Sequence, residues 1–278
     1  MAGALEGLLR RDRAVVFVAL SVITLLAWAY TLKLAADMDM GGMAMSGFRM
    51  ATSFLTMFMA PSPQPWSASE FLFTTLMWIV MTIGMMTPSI APMVLLYARV
   101  GRQAALQGRP LAATGWFALG YFLSWSAFSV VAALAQWALE RATLLTPMMA
   151  SASARLGGVV LIVAGIYQWT PAKDTCLRFC QAPLSFIQRH GGFRRTAAGS
   201  LGLGMRHGFY CIGCCWALMA LLFVGGVMNV LWIAALAIFV LAEKLIPLGR
   251  VVARVAGSAL IVAGCWLLLA PAPAMTHH

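Results

Sequence analysis

The sequence predicts an all-α membrane protein, a polytopic bundle of about seven transmembrane helices with its N-terminus cytoplasmic and its C-terminus periplasmic. Three observations carry this. Apolar residues make up 62% of the chain and charged residues 10%, against about 45–50% and about 25% in ordinary soluble chains. With a mean hydropathy of +0.87, too little charge remains to coat a water-facing surface. The apolar residues also fall into runs near the ~20 residues that cross a hydrocarbon core as helix. Strict alternation over about 10 residues, the mark of a barrel strand, is absent. Finally, the basic residues cluster between alternate pairs of runs.

The runs cover residues 14–35, 70–97, 115–138, 155–171, 207–225, 229–246 and 255–270. Span 1 follows Arg10, Arg11 and Arg13 and is too long for a cleaved signal peptide. Residues 36–69 form the one sizeable periplasmic segment. It holds Met38, Met40, Met43 and Met45 in a Gly-rich setting, then an apolar stretch from Phe48 to Met59 expected to lie as an interfacial helix. A Pro run, Pro61 to Pro65, leads into span 2, with Ser67 or Ser69 as N-cap. Span 2 carries Thr87-Pro88-Ser89 and Pro92, which are expected to break it in its inner half. Span 4 is short and ends near Tyr167 and Gln168. The inner segment 172–205 reads as a short amphipathic helix plus loop, with Cys176 and Cys180. Asn229 opens span 6 and Glu243-Lys244 close it, near the inner interface, where snorkelling or mutual pairing costs little. These three polar residues read as structural. No Pro/Ser-rich linker divides residues 1–278, so they are taken as one membrane domain.

An N-in, seven-span path places 15 of the 19 basic and four of the eight acidic residues inside, leaving that side at +11 and the outer side neutral. This is the positive-inside bias of a cytoplasmic membrane, reinforced by anionic lipid. It removes the need for a nucleic-acid partner, which would require a basic stripe with aromatics on a soluble domain.

Besides the polar residues inside the spans, which are candidates by their place in the membrane, two further clusters could carry chemistry. Twelve of the nineteen methionines lie between Met38 and Met93. In span 2, Met77, Met81 and Met85 recur every four residues and share a helix face with Met86 beside them. Thioether sulfur is soft, selects Cu(I), and needs no deprotonation. Methionine is also a flexible filler of helix packing, which suffices for any one of those in span 2. It does not suffice for the four in the Gly-rich segment, which have no core to fill. The second cluster opens span 5: His207-Gly208-Phe209-Tyr210-Cys211-Ile212-Gly213-Cys214-Cys215-Trp216. His207, Cys211 and Cys214 fall at i, i+4 and i+7 on one face, with Cys215 at its edge. Thiolate and imidazole are metal ligands, although Gly204, Gly208 and Cys211 also suit close helix packing. Spans 2 and 5 run in opposite directions, so Met85, Met86, Cys211 and Cys214 all fall in the inner half of the bilayer.

Met77-Trp78 with Met81, Gly84-Met85-Met86-Thr87-Pro88-Ser89 and Pro92-Met93 resemble the first signature of a bacterial family of uncharacterised integral membrane proteins labelled "predicted metal-binding". The second signature is matched by His207 through Trp216, then Leu218-Met219, Gly226-Val227-Met228-Asn229 and Ala242-Glu243-Lys244. The resemblance covers roughly residues 70–270, a core of six spans, and implies a metal and a bacterial inner membrane.

The leading expectation is copper handling, by a transporter or a membrane metallochaperone. Met38, Met40, Met43 and Met45 would collect Cu(I), and Met81, Met85 and Met86 would carry it inward. Cys211, Cys214, Cys215 and His207 would hold it, and Cys176 and Cys180 would accept it on the cytoplasmic side. A donor or acceptor protein for the metal is then expected as partner, besides the lipid bilayer. Zinc shares a liking for Cys and His. Two other classes stay open. Cys211-Ile212-Gly213-Cys214 has the C-x-x-C spacing of a thiol–disulfide oxidoreductase, though no thioredoxin-like βαβ pattern accompanies it. An accessory subunit that assembles a membrane metalloenzyme would show the same ligands.

Overall fold

The computed structural model describes residues 2–39, 67–146, 149–151 and 153–269, and the side chains of α1 from Ala14 to Ala36. Helices account for most of these. They are α1 (Ala2–Asp39), α2 (Ala68–Leu106), α3 (Thr114–Arg141), α4 (Ala154–Tyr167), α5 (Pro171–Gln181), α6 (Pro183–Arg189), α7 (Ala197–Ala220), α8 (Leu222–Gly225), α9 (Val230–Leu245) and α10 (Gly249–Leu269). The segments 14–36, 68–106, 114–141, 197–225 and 249–269 are long and apolar enough to cross a membrane, five in all among the described residues.

The spans expected at 155–171 and 229–246 appear as α4, of 14 residues, and α9, of 16. At 1.5 Å per residue these reach only about 21 and 24 Å, short of a hydrocarbon core of about 30 Å. The helix expected from residue 207 starts ten residues earlier. Thr196 caps α7 by accepting from Gly199 N at 3.2 Å, and the small residues that follow let it pack at once on α3.

The expected break in span 2 does not occur: α2 continues through Pro88 and Pro92. The two prolines leave the Gly84 and Pro88 carbonyls without their usual donors, and neighbouring groups support the turn. Thr87 Oγ1 donates to Ile83 O at 2.6 Å, and Tyr121 Oη to Met86 O at 3.3 Å. At the other end, Ser67 is the N-cap, with Glu70 completing a capping box.

Two glycine seams set the packing. Gly158 and Gly165 of α4 lie against Gly264 and Gly257 of α10, in antiparallel register. A Cβ at Gly165 would stand 2.6 Å from Gly257 O. In the second seam, α3 and α7 run parallel, with Gly120 against Leu201 and Gly204 against the Phe117 carbonyl. Small residues permit such approach where helices gain little from hydrophobicity alone. Between α2 and α3 the glue is polar: Trp78 Nε1 donates to Gln136 Oε1 at 2.8 Å, and Thr82 and Ser129 hydroxyls meet at 3.0 Å. The periphery is apolar and open, with Phe17, Leu25, Leu231 and Trp266 more than half exposed. A lipid-facing surface needs this, and a water-facing one would not tolerate it.

Candidate metal centre

The site forms where α2, α3, α5, α7 and α9 meet. From α7 come His207, Cys211, Cys214 and Cys215, all at most 3% exposed. Cys214 and Cys215 Sγ donate back to Cys211 O at 3.1 and 3.0 Å, the local bond that small polar side chains make inside a helix. Cys211 Sγ is engaged differently. It receives Lys244 Nζ from α9 at 3.0 Å and meets Tyr121 Oη from α3 at 3.1 Å. An ammonium only donates, so this sulfur is an acceptor, the role in which a thiolate is strong.

The helix α5 brings the second pair of thiols. Thr170 caps it, with Pro171 at its first position, so that Cys176 and Cys180 fall one turn apart on the face turned to α7. Cys180 Sγ stands 3.9 Å from Cys214 Sγ. Cys176 packs over Gly213, where a Cβ would lie 2.8 Å from its sulfur. Hydrogen bonds to the Cys211 and Cys214 sulfurs, with burial, hold the Cys180 thiol well above its ordinary value. Burial raises Cys176, and the neighbouring Cys214 pushes it the same way.

Of the span-2 methionines, Met81, Met85 and Met86 are all buried in the core. Met86 reaches the thiols through a bridge: Lys244 Nζ lies 3.8 Å from its sulfur and 3.0 Å from Cys211 Sγ. Met38 belongs to the last turn of α1. Met40, Met43, Met45 and the stretch 48–59 lie outside the described residues.

Glu243 and Lys244 do not pair with one another. Glu243 receives Lys173 Nζ at 2.8 and 3.0 Å and Gln168 Nε2 at 3.1 Å, with both members of the ion pair 1% exposed. Asn229 caps α9 by accepting from Trp232 N at 3.2 Å. His207 lies among Phe117, Tyr121 and Phe186, ring centroids 5.0–5.9 Å away. Its Nδ1 is buried without a hydrogen-bond partner, which is rare enough in proteins to ask for a reason.

Sequence reasoning missed Tyr121, Lys173 and the turning of Lys244 towards a thiol. A phenol inside an apolar run was the available signal for the first.

No group of three or more His, Cys, Asp or Glu side chains among the described residues is arranged to hold an ion by itself. A soft monovalent ion asks for less. Two sulfurs 3.9 Å apart can both reach one ion at the ~2.3 Å of a metal–thiolate bond. A set of thiols with a thioether beside it is the chemistry that prefers Cu(I). The model of the family described as PpoB2, copper chaperone, matches residues 75–267. The chain belongs to this copper chaperone family. The match runs from α2 to α10 and so contains every side chain of the thiol cluster. No curated protein and no solved structure matches the chain.

Proposed function

We propose that the chain is a membrane-embedded copper chaperone that holds Cu(I) on Cys211 and Cys214 of α7 and Cys180 of α5, with Met86 and His207 beside them. The observation that carries the reading is the 3.9 Å approach of Cys180 to Cys214. It merges the expected cytoplasmic acceptor with the expected holding site, because α5 folds back onto α7. Membership of the copper chaperone family supports the metal. The +11 bias of the inner loops supports a bacterial inner-membrane location with seven crossings, the short α4 and α9 among them, and an N-in orientation. Copper then passes from Met38, Met40, Met43 and Met45 through the Met81–Met86 layer to the thiols, and on to an acceptor protein. The interior is packed with Trp78, Tyr121 and Trp125, all buried, which favours hand-over rather than conduction through a pore.

The test is metal content by mass spectrometry of detergent-purified protein loaded anaerobically under reducing conditions. Near-stoichiometric copper is expected in the wild type, lost in Cys211→Ser/Cys214→Ser and reduced by Cys180→Ser. A wild type that takes up no copper overturns the reading. The Cys180–Cys214 contact would then favour the oxidoreductase, and a mixed disulfide trapped in the Cys214→Ser chain would identify it.

A further inference from the structure

Lys244 is an expensive residue in this position. It is 6% exposed, lies in the apolar helix α9, and its partners are two sulfur atoms rather than a carboxylate. The nearby acids are engaged elsewhere. Glu243 is held by Lys173 and Gln168, and Asp174 by Arg254 at 3.1 Å. A charge inside a membrane helix bundle is costly and is a candidate for function, and packing alone would be served by a leucine. Its ammonium stands 3.0 Å from Cys211 Sγ, one of the three proposed thiol ligands, and 3.8 Å from the Met86 thioether.

We propose that Lys244 is the specificity-determining countercharge of the site, which favours a soft monovalent cation over a soft divalent one. This rests on the reading of the cluster as a copper site. The physical argument is a comparison of charges. A fixed ammonium beside the thiols helps them carry negative charge whichever ion they bind. It also repels the bound ion, and that repulsion is proportional to the ion's charge, so a divalent ion suffers it twice over. Low local dielectric enlarges the difference. With Cys211 and one of Cys180 and Cys214 ionised, and the other kept as the thiol that donates across their 3.9 Å contact, one monovalent ion and Lys244 bring the sum to zero, whereas a divalent ion in the same place leaves an uncompensated positive charge in the bundle. Thiol softness alone does not make this distinction, since zinc and cadmium are also thiophilic. The ammonium supplies the second criterion. Lys244 is therefore a selectivity element: it touches a ligand atom and acts on the ion through the field.

The experiment uses the full chain in detergent, with silver(I) and cadmium(II) as probes that are both soft and differ in charge; silver(I) is the softer, so the change in preference on removing the ammonium is the decisive reading. Each is titrated in competition with a chromophoric Cu(I) chelator or a zinc indicator. In the wild type, silver is expected to displace Cu(I) from the site and cadmium to bind at least about 100-fold more weakly. In Lys244→Leu the preference is expected to shrink by ~10- to 1000-fold, the span over which one charge at this distance changes binding of a proton. Lys244→Arg should keep it. Equal competition by silver and cadmium in the wild type overturns the proposal without any variant, so a Lys244→Leu chain that fails to fold does not protect it. An unchanged preference in a folded Lys244→Leu chain overturns it as well. A wild type that binds neither silver nor copper would instead sink the copper site itself.

Discussion

Replacing Lys173 by methionine tests the bond that fixes α5 over the thiols. Lys173 Nζ lies 2.8 and 3.0 Å from the two oxygens of Glu243, and both side chains are 1% exposed. At that separation the Coulomb attraction is about 6 kcal/mol at an effective dielectric near 20. Much of it repays desolvation. The relevant quantity is the cost of leaving one partner buried and unpaired, about 3–5 kcal/mol. In Lys173→Met the Glu243 carboxylate keeps only the Gln168 amide at 3.1 Å. The loss is therefore expected near the lower end, about 3 kcal/mol. The double variant Lys173→Met/Glu243→Leu removes both charges and should recover at least about 2 kcal/mol of it, since apolar replacement of a whole buried pair is often close to neutral. The assay is reversible unfolding in mixed micelles by SDS titration, followed by tryptophan fluorescence, as a double-mutant cycle. A single-variant cost below about 1 kcal/mol, or a double variant no better than the sum of the singles, refutes the assignment. The structure adds a second readout. Gln181 Nε2 donates to Glu243 O at 2.8 Å, so α5 is tied to α9 near both its ends. Loosening the Lys173 end should draw Cys180 away from Cys214, and copper retention should fall along with stability.

Two further outcomes follow from the packing. A Cβ at Gly204 would strike the Phe117 carbonyl, whereas one at Gly202, two residues away on the same helix, meets nothing within 4 Å. Gly204→Val is expected to abolish the monodisperse gel-filtration peak. Gly202→Ala should leave it intact and gain up to about 1 kcal/mol of helix propensity, and equal behaviour of the two would contradict the α3–α7 seam. Burial holds the Cys176 thiol above its ordinary 9.0, and only the thiolate reacts with alkylating agents. Its maleimide labelling, read by peptide mass mapping, should be slow at neutral pH and reach the midpoint of its rise above pH 9; a midpoint at 9 would show the thiol unshifted.

The helical class and the positions of the long helices were legible because they depend on composition and local periodicity. The choice of Ser67 as N-cap was nearly so, since Glu70 three residues later completes a capping box. Helix ends that depend on tertiary packing were not. The start of α7 at Ala197 is set by the fit of small residues onto α3, which hydropathy does not record. The break expected at Pro88 and Pro92 failed for a related reason. Proline weakens a helix by removing donors, and here hydroxyls of Thr87 and of another helix, Tyr121, support the carbonyls around them. In the site, spacing alone placed His207, Cys211 and Cys214 on one face. It could not bring Cys180 to Cys214, because that contact depends on the direction in which α5 leaves the short α4.

The Glu243-Lys244 dipeptide shows why the site needs all these helices. Read as adjacent opposite charges, the two look like a self-contained pair at an interface. Consecutive residues of an α-helix point about 100° apart, so in a packed bundle they face different neighbours. Glu243 turns to Lys173 of α5, and Lys244 to Cys211 of α7 and Met86 of α2. One turn of α9 thereby fixes both thiol-bearing helices and the thioether helix relative to each other. The sulfur atoms come from three separate helices, and this one charged step holds them in register. An exchange of the two residues, Glu243→Lys with Lys244→Glu, preserves net charge and helix propensity yet would set ammonium against ammonium on α5 and carboxylate against thiol on α7. It should therefore abolish folding where a surface pair would tolerate it, and a folded, copper-loading exchange variant would show that α9 does not serve as this clamp.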